Sequence, residues 1–211
     1  MAKTGRPRLF DREKALEAAM LLFWEKGYDM ASLSLLKDAM GGISAPSFYA
    51  AFDSKERLFS EALDLYVSTY GRVHDSLWDP EETPYEAVEK ALRRSVRMQT
   101  APGKPRGCLL SMCVVNDSNS PAQSYLEKHR ARIRDGYAES VQRAMQSGSG
   151  PRGIDPEAYA CMLYSFLLGL SVQARDGVSF AVLDAAVTQL LSDWRSMVFD
   201  SSTVVPTGGR T

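Results

Sequence analysis

The sequence contains no apolar run long enough to cross a bilayer, so no membrane partner is expected. It has no marked excess of either charge: 25 lysines and arginines stand against 26 aspartates and glutamates, a formal net charge of -1. Global basicity therefore gives no sign of a nucleic-acid partner. The basic N-terminus MAKTGRPRLF has no apolar stretch behind it and does not read as a secretory signal. Cysteine is scarce: Cys108, Cys113 and Cys161 are an odd number in apolar surroundings, the pattern of buried thiols in a reducing cytoplasm. They form no CxxC pair, and His74 and His129 have no matched ligand spacing, so no metal and no cofactor is expected. A glycine-rich phosphate loop, a nucleophile elbow and an HExxH motif are all missing, which argues against an enzyme.

β-branched residues seldom cluster, whereas alanine, leucine, methionine and glutamate are plentiful. That composition predicts an all-α protein. The 211 residues allow one large or two small domains, and 45% apolar content with 24% charge fits an ordinary globule.

Leu16, Ala19, Met20 and Phe23 recur at helical spacing, with Asp11 placed to cap the helix and Gly27 to stop it. Ser32 is a cap for a short second helix, which Gly41-Gly42 breaks. Ser44 caps a third that tolerates Pro46 in its first turn and closes at Phe52. Asp53 and Glu56 have capping-box-like spacing before a longer helix carrying Leu58, Phe59, Ala62, Leu63, Tyr66 and Tyr70. Thr83-Pro84-Tyr85-Glu86, Ser120-Pro121 and Asp155-Pro156-Glu157 open further helices, and a last one spans about Phe180 to Phe199. About nine helices are expected in total.

Two short helices around a tight turn form a helix-turn-helix, whose second helix a major groove can admit. Small outer residues Ala45, Ser47, Ala50 and Ala51 permit close approach, while Phe48 and Phe52 face inward. Tyr49 is left where its hydroxyl can reach a phosphate, and Lys55 where its charge can meet one. A compact helical hairpin with an aromatic core is the alternative reading of the same spacing.

The ordered set Phe23, Gly27, Leu33, Leu36, Ile43-Ser44, Ser47-Phe48-Tyr49, Phe52 and Ser54 to Phe59 resembles the TetR family of bacterial transcriptional regulators. The resemblance covers about residues 8 to 60. It implies a helix-turn-helix domain over 1-54 with a basic arm, a larger helical ligand-binding and dimerisation domain over 55-200, and a tail over 201-211. It places Ser44 and Ser47 at phosphates or base edges, Tyr49 and Lys55 at phosphates, and Ala45 and Pro46 on the same DNA-facing surface.

Two departures accompany it. The turn has two glycines where relatives usually have one, which bears on the angle or start of the recognition helix. Ala45 and Pro46 bring no polar contact, so direct base reading is sparse. Arg6 and Arg8, in the extended Gly5-Arg6-Pro7-Arg8, are suited to a minor groove, although a solvated tail is equally consistent.

The implied partners are double-stranded operator DNA, palindromic, a second copy of the chain, and an unidentified small molecule. Residues Tyr159 to Val172 are apolar nearly all round, which makes the last two helices candidates for the dimer contact. Tyr159, Leu163, Phe166 and Leu170 would supply one helix of it, and Val182, Ala186, Leu190 and Trp194 the other. Burial in the chain's own core is the competing reading. Trp78, Tyr85, Met98, Met112, Cys113, Tyr125, Met162 and Phe166 are candidates for an adaptable pocket or for ordinary core. The expected function is a sequence-specific transcriptional regulator, a repressor released from its operator by the ligand. A DNA-binding regulator without a ligand, or a helical protein-interaction module, are the alternatives.

Overall fold

The computed structural model describes residues 11–199, and every regular element in them is helical. In chain order these are α1 (Arg12–Lys26), α2 (Leu33–Ala39), α3 (Ala45–Phe52), α4 (Lys55–Thr69), a 3-10 segment (Gly71–Trp78), α5 (Pro84–Thr100), α6 (Leu109–Met112), α7 (Pro121–Gln146), α8 (Pro156–Arg175) and α9 (Phe180–Phe199).

Short polar side chains set the starts. Asp11, Ser32, Ser44, Thr83, Ser120 and Asp155 each accept a first-turn amide hydrogen that has no partner inside its helix. Thr83 completes a capping box with Glu86.

The start of α4 differs from the sequence reading. Ser54, not Asp53, accepts from the Arg57 amide, at 3.1 Å. Asp53 has φ 64 and ψ -55, and the Ser54 amide donates back to the Phe52 carbonyl at 2.6 Å. This is a positive-φ γ-turn, a strained bend for a residue with a Cβ. Asp53 makes the reversal between α3 and α4, so the cap passes to its neighbour.

The apolar core runs from α1 to α9. Phe23 meets Phe59 edge-on at 4.9 Å, and Trp24 meets Tyr66 at 5.0 Å and Tyr70 at 4.9 Å, both edge-on. These contacts seat α1 on α4. α5 packs on the 3-10 segment and α9, while α7 packs on α8. Polar pins hold the 3-10 segment, with Ser76 Oγ donating to the Ala87 carbonyl at 2.9 Å and His74 Nε2 lying 3.3 Å from Ser95 Oγ. No helix among the described residues is long and apolar enough to cross a membrane.

Candidate nucleic-acid interface

α2 closes with the hydrogen bonds of a glycine cap. The Gly41 amide donates to the Asp38 carbonyl at 3.0 Å and the Gly42 amide to that of Lys37 at 2.9 Å. Both glycines have positive φ, 92 and 78, which residues with a Cβ adopt only under strain. The doubled glycine leaves the next start in place: α3 begins at Ala45 with Ser44 as its cap.

α3 has two unlike faces. Phe48 and Phe52 are buried, whereas Ser44, Ala45, Pro46, Ser47 and Ala50 are exposed and Tyr49 is 51% exposed. The Ser44 hydroxyl accepts from the Ser47 amide at 3.2 Å and lies 2.9 Å from the Ser47 hydroxyl. The outward surface is therefore low, with two hydroxyls at its leading end and a phenol beside it. Phe48 meets the Tyr49 ring edge-on at 5.3 Å and supports it from below.

Lys55 opens α4, half-buried, with its ammonium 4.3 Å from the centroid of the Tyr28 ring. The Tyr28 hydroxyl donates to Glu56 Oε1 at 3.0 Å. Burial pulls the Lys55 pKa down, against the opposing pull of Asp29 and Glu56. Burial, helped by Glu56, pushes the Tyr28 phenol up. Lys55 is thus a cation held in place on an aromatic face rather than a freely swinging one.

Two residues that the sequence reading did not single out shape this surface. Tyr28 is one; its only signal was an aromatic directly after the Gly27 stop. Arg12 is the other. Its Nε donates to the Ala51 carbonyl at 3.2 Å, its Nη2 to Glu61 at 2.6 Å, and its guanidinium lies 4.6 Å from the Phe52 ring centroid. It fastens the end of α3 to α1 and α4 at once. In the sequence it is one cation among several at the basic arm. Arg6 and Arg8 lie outside the described residues.

The eight candidate pocket residues do not converge. Met112 and Cys113 line a cleft of about 270 Å³ with Trp24, Met30 and Arg175, whereas Trp78 lines a separate hollow of about 70 Å³ with His74 and His129. Tyr85 meets Trp194 edge-on at 5.9 Å, and Met98 Sδ lies 3.8 Å from the Tyr66 hydroxyl. Phe166 is half-buried, and Tyr125 and Met162 are exposed. Methionines and aromatics at helical spacing fill several different helix seams here, which spacing alone does not separate.

The interface candidates also divide. Tyr159, Leu163, Leu170 and Trp194 are at most 2% exposed and belong to the chain's own core. Phe166, Ala186 and Leu190 are half-buried, and Val182 is 58% exposed. α8 is apolar all round because one side serves this core; the outward side carries Met162, Phe166 and Val172.

The cysteines divide as well. Cys108 and Cys113 are buried, with Cys108 accepting from the Tyr66 hydroxyl at 3.3 Å and burial pushing the Cys113 thiol up. Cys161 is exposed on the outward side of α8, against the expectation of three buried thiols. Among the described residues no three His, Cys, Asp or Glu side chains gather to hold a metal ion.

An exposed, low recognition helix behind a glycine turn, flanked by a phenol and a fixed cation, defines a helix-turn-helix DNA-binding protein. Residues 15–62 match the domain described as "Bacterial regulatory proteins, tetR family". The chain is 32% identical over 198 residues to the HTH-type transcriptional repressor ComR of Escherichia coli (strain K12), covering 92% of this chain and 93% of that protein. It is 29% identical over 181 residues to the transcriptional repressor BdcR of the same organism, covering 86% of this chain and 87% of the relative. A cysteine-substituted form of the TetR family regulator CifR, solved with double-stranded operator DNA, superposes with a TM-score of 0.78 at 38% identity, covering 90% of this chain and all of that one. The chain belongs to the TetR family of bacterial transcriptional regulators, and it is a DNA-binding regulator of transcription.

Proposed function

We propose that the chain is a dimeric repressor whose hold on a palindromic operator falls when a small molecule enters its C-terminal part. The observation that carries this is the exposed face of α3 with Tyr49 and Lys55 on its flank. In this reading residues 1-54 are the reading head and 55-200 the regulatory and dimerisation domain, with 201-211 a tail. The surface of Ser44, Ala45, Pro46 and Ser47 enters the major groove, while Tyr49 and Lys55 take phosphates. Arg6 and Arg8 of the arm reach the adjacent minor groove. Two alanine- and proline-bearing positions read no base edge, so DNA shape carries part of the specificity. The outward side of α8 and the exposed part of α9, with Met162, Phe166, Val172 and Val182, form the dimer contact. The name repressor for ComR and BdcR, and the operator DNA bound to CifR, support the sign and the target. The protein works in the cytoplasm, with the chromosome.

A ligand-free regulator is the second reading, favoured by the dispersal of the candidate pocket residues over separate seams. The test is binding of the purified protein to DNA flanking its own gene and to a random duplex library. The Tyr49→Phe, Lys55→Ala double variant is the control. Salt-dependent, competitor-resistant binding that the double variant loses is the expected result. No enrichment from the library would sink the reading.

A further inference from the structure

The end of α8 is tied to the end of α1 by side chains that the DNA surface does not use. Arg175 is the last residue of α8. Its Nη2 donates to the Trp24 carbonyl at 2.8 Å, its Nη1 to that of Glu25 at 3.0 Å, and its Nε to that of Arg106 at 2.8 Å. Trp24 and Glu25 lie in the last turn of α1, where carbonyls lack helical partners and the helix dipole is negative. One guanidinium therefore completes the end of a helix in the reading head from a helix outside it.

The tie is returned from the other side. Arg106 Nε donates to the Ala174 carbonyl and its Nη2 to that of Val178, both at 2.6 Å. The Trp24 indole N–H donates to the Gly107 carbonyl at 3.1 Å. Gly107 has φ +80, and a Cβ there would lie 2.9 Å from the Ser171 carbonyl oxygen, so the loop presses on α8 as only glycine allows. The α1 end, the loop before α6 and the α8 end form one hydrogen-bonded knot.

The head already continues into α4 across the Asp53 bend and packs on it through Phe23 against Phe59 and Trp24 against Tyr66 and Tyr70. The knot is a second attachment, at the end of α1. Its other anchor is α8, the helix assigned above to the dimer contact. The angle between each head and the dimer axis is thereby fixed, and in a two-fold dimer that angle sets how far apart the two recognition helices stand.

We propose that Arg175, positioned by Arg106 and Trp24, determines the half-site spacing that the dimer accepts, without touching DNA. The inference rests on the dimeric reading given above. Loosening the knot should leave each head able to read its half-site but lower the preference for one separation. Arg175→Met keeps the apolar stem and removes every donor. Arg175→Lys keeps the charge but loses the planar fork that serves three carbonyls. Trp24→Phe deletes only the indole donor.

The experiment measures binding of wild type and the three variants to the selected operator, to duplexes with the same half-sites set closer or farther apart, and to an isolated half-site. Sedimentation gives the oligomeric state. The expected result is unchanged dimerisation and half-site affinity, with the preference for the native spacing reduced about tenfold in Arg175→Met and less in the other two. A folded, dimeric variant set that keeps the wild-type spacing preference overturns the proposal. So does a loss of half-site affinity that matches the loss on the full operator, because it shows a damaged head. If Arg175→Met does not fold, Arg175→Lys and Trp24→Phe decide in its place. A wild type that is monomeric, or indifferent to spacing, refutes the dimeric reading itself and this inference with it.

Discussion

The Lys55 ammonium lies 4.3 Å from the centroid of the Tyr28 ring, and the hydroxyl of the same tyrosine donates to Glu56 at 3.0 Å. Tyr28 comes just after α1 and Lys55 begins α4, so the contact ties the end of α1 to the start of α4 at a proposed phosphate site. Tyr28→Leu should weaken operator binding by about fivefold, the scale of a partly desolvated cation–π contact. Tyr28→Phe keeps the ring and should stay within about twofold of wild type. Fluorescence anisotropy titrations at a fixed salt concentration read both. Equal losses in the two variants would show that the hydroxyl, not the ring, places Lys55.

The two serines at the start of α3 should separate when stability is measured. Ser44 holds the Ser47 amide at 3.2 Å, so Ser44→Ala removes an N-cap and should cost about 1 kcal/mol. The Ser47 hydroxyl is exposed and holds no backbone group, so Ser47→Ala should change stability by less than about 0.5 kcal/mol. Urea unfolding provides the numbers. Both variants should weaken DNA binding, and only the first should unfold earlier.

Asp53 is the one described non-glycine residue with positive φ. Glycine relieves the strain of the γ-turn but brings its own entropy loss, so Asp53→Gly should stabilise the chain by about 0.5–1 kcal/mol. Asp53→Ala keeps the Cβ and should give no such gain. Thermal unfolding of the pair distinguishes relief of strain from loss of the carboxylate.

Acid should weaken the fold around the 3-10 segment. Burial lowers the His74 pKa from its ordinary 6.5 to about 4, because the core disfavours the charged ring. Between those values the unfolded chain carries a proton that the folded chain does not, so stability rises with pH across the window. The contribution is complete above about pH 6.5 and falls away toward about pH 4, with about 2 kcal/mol lost by about pH 5. Burial lowers the His129 pKa too, against the pull of Asp64, which adds in the same direction. Urea midpoints at neutral and acid pH, at constant protein concentration, should converge in His74→Gln. An unchanged acid slope there would place the sensitivity elsewhere.

Helix starts were legible because a cap is a local event: a short polar side chain accepts an amide hydrogen from three residues on, and Ser32, Ser44 and Thr83 carry that chemistry in the sequence. Where two cap-capable residues are adjacent, as at Asp53 and Ser54, spacing picked the wrong one, since the choice depends on which residue must turn the chain. The 3-10 segment Gly71–Trp78, a short piece between two longer helices, went unread. The outward face of α3 was legible through Phe48 and Phe52, whose spacing fixed the opposite face as the outer one. Arg12 and Tyr28 were not, because each acts on a helix remote in sequence. Tyr159 and Trp194 show the limit for apolar helices: a residue facing its own core and one facing a partner have the same pattern until the helices are packed.

Trp24 also gives the molecule an optical gauge. Its indole is 1% exposed and donates to the Gly107 carbonyl, so its emission colour is set by the joint between head and body. Trp194 is equally enclosed but donates to the Ser149 carbonyl, at 3.2 Å, and Trp78 is only half-covered. With those two replaced by phenylalanine, the remaining lamp reports on a single place. Light from one buried ring would then follow, in real time, whether the head is held or loose while DNA arrives and departs.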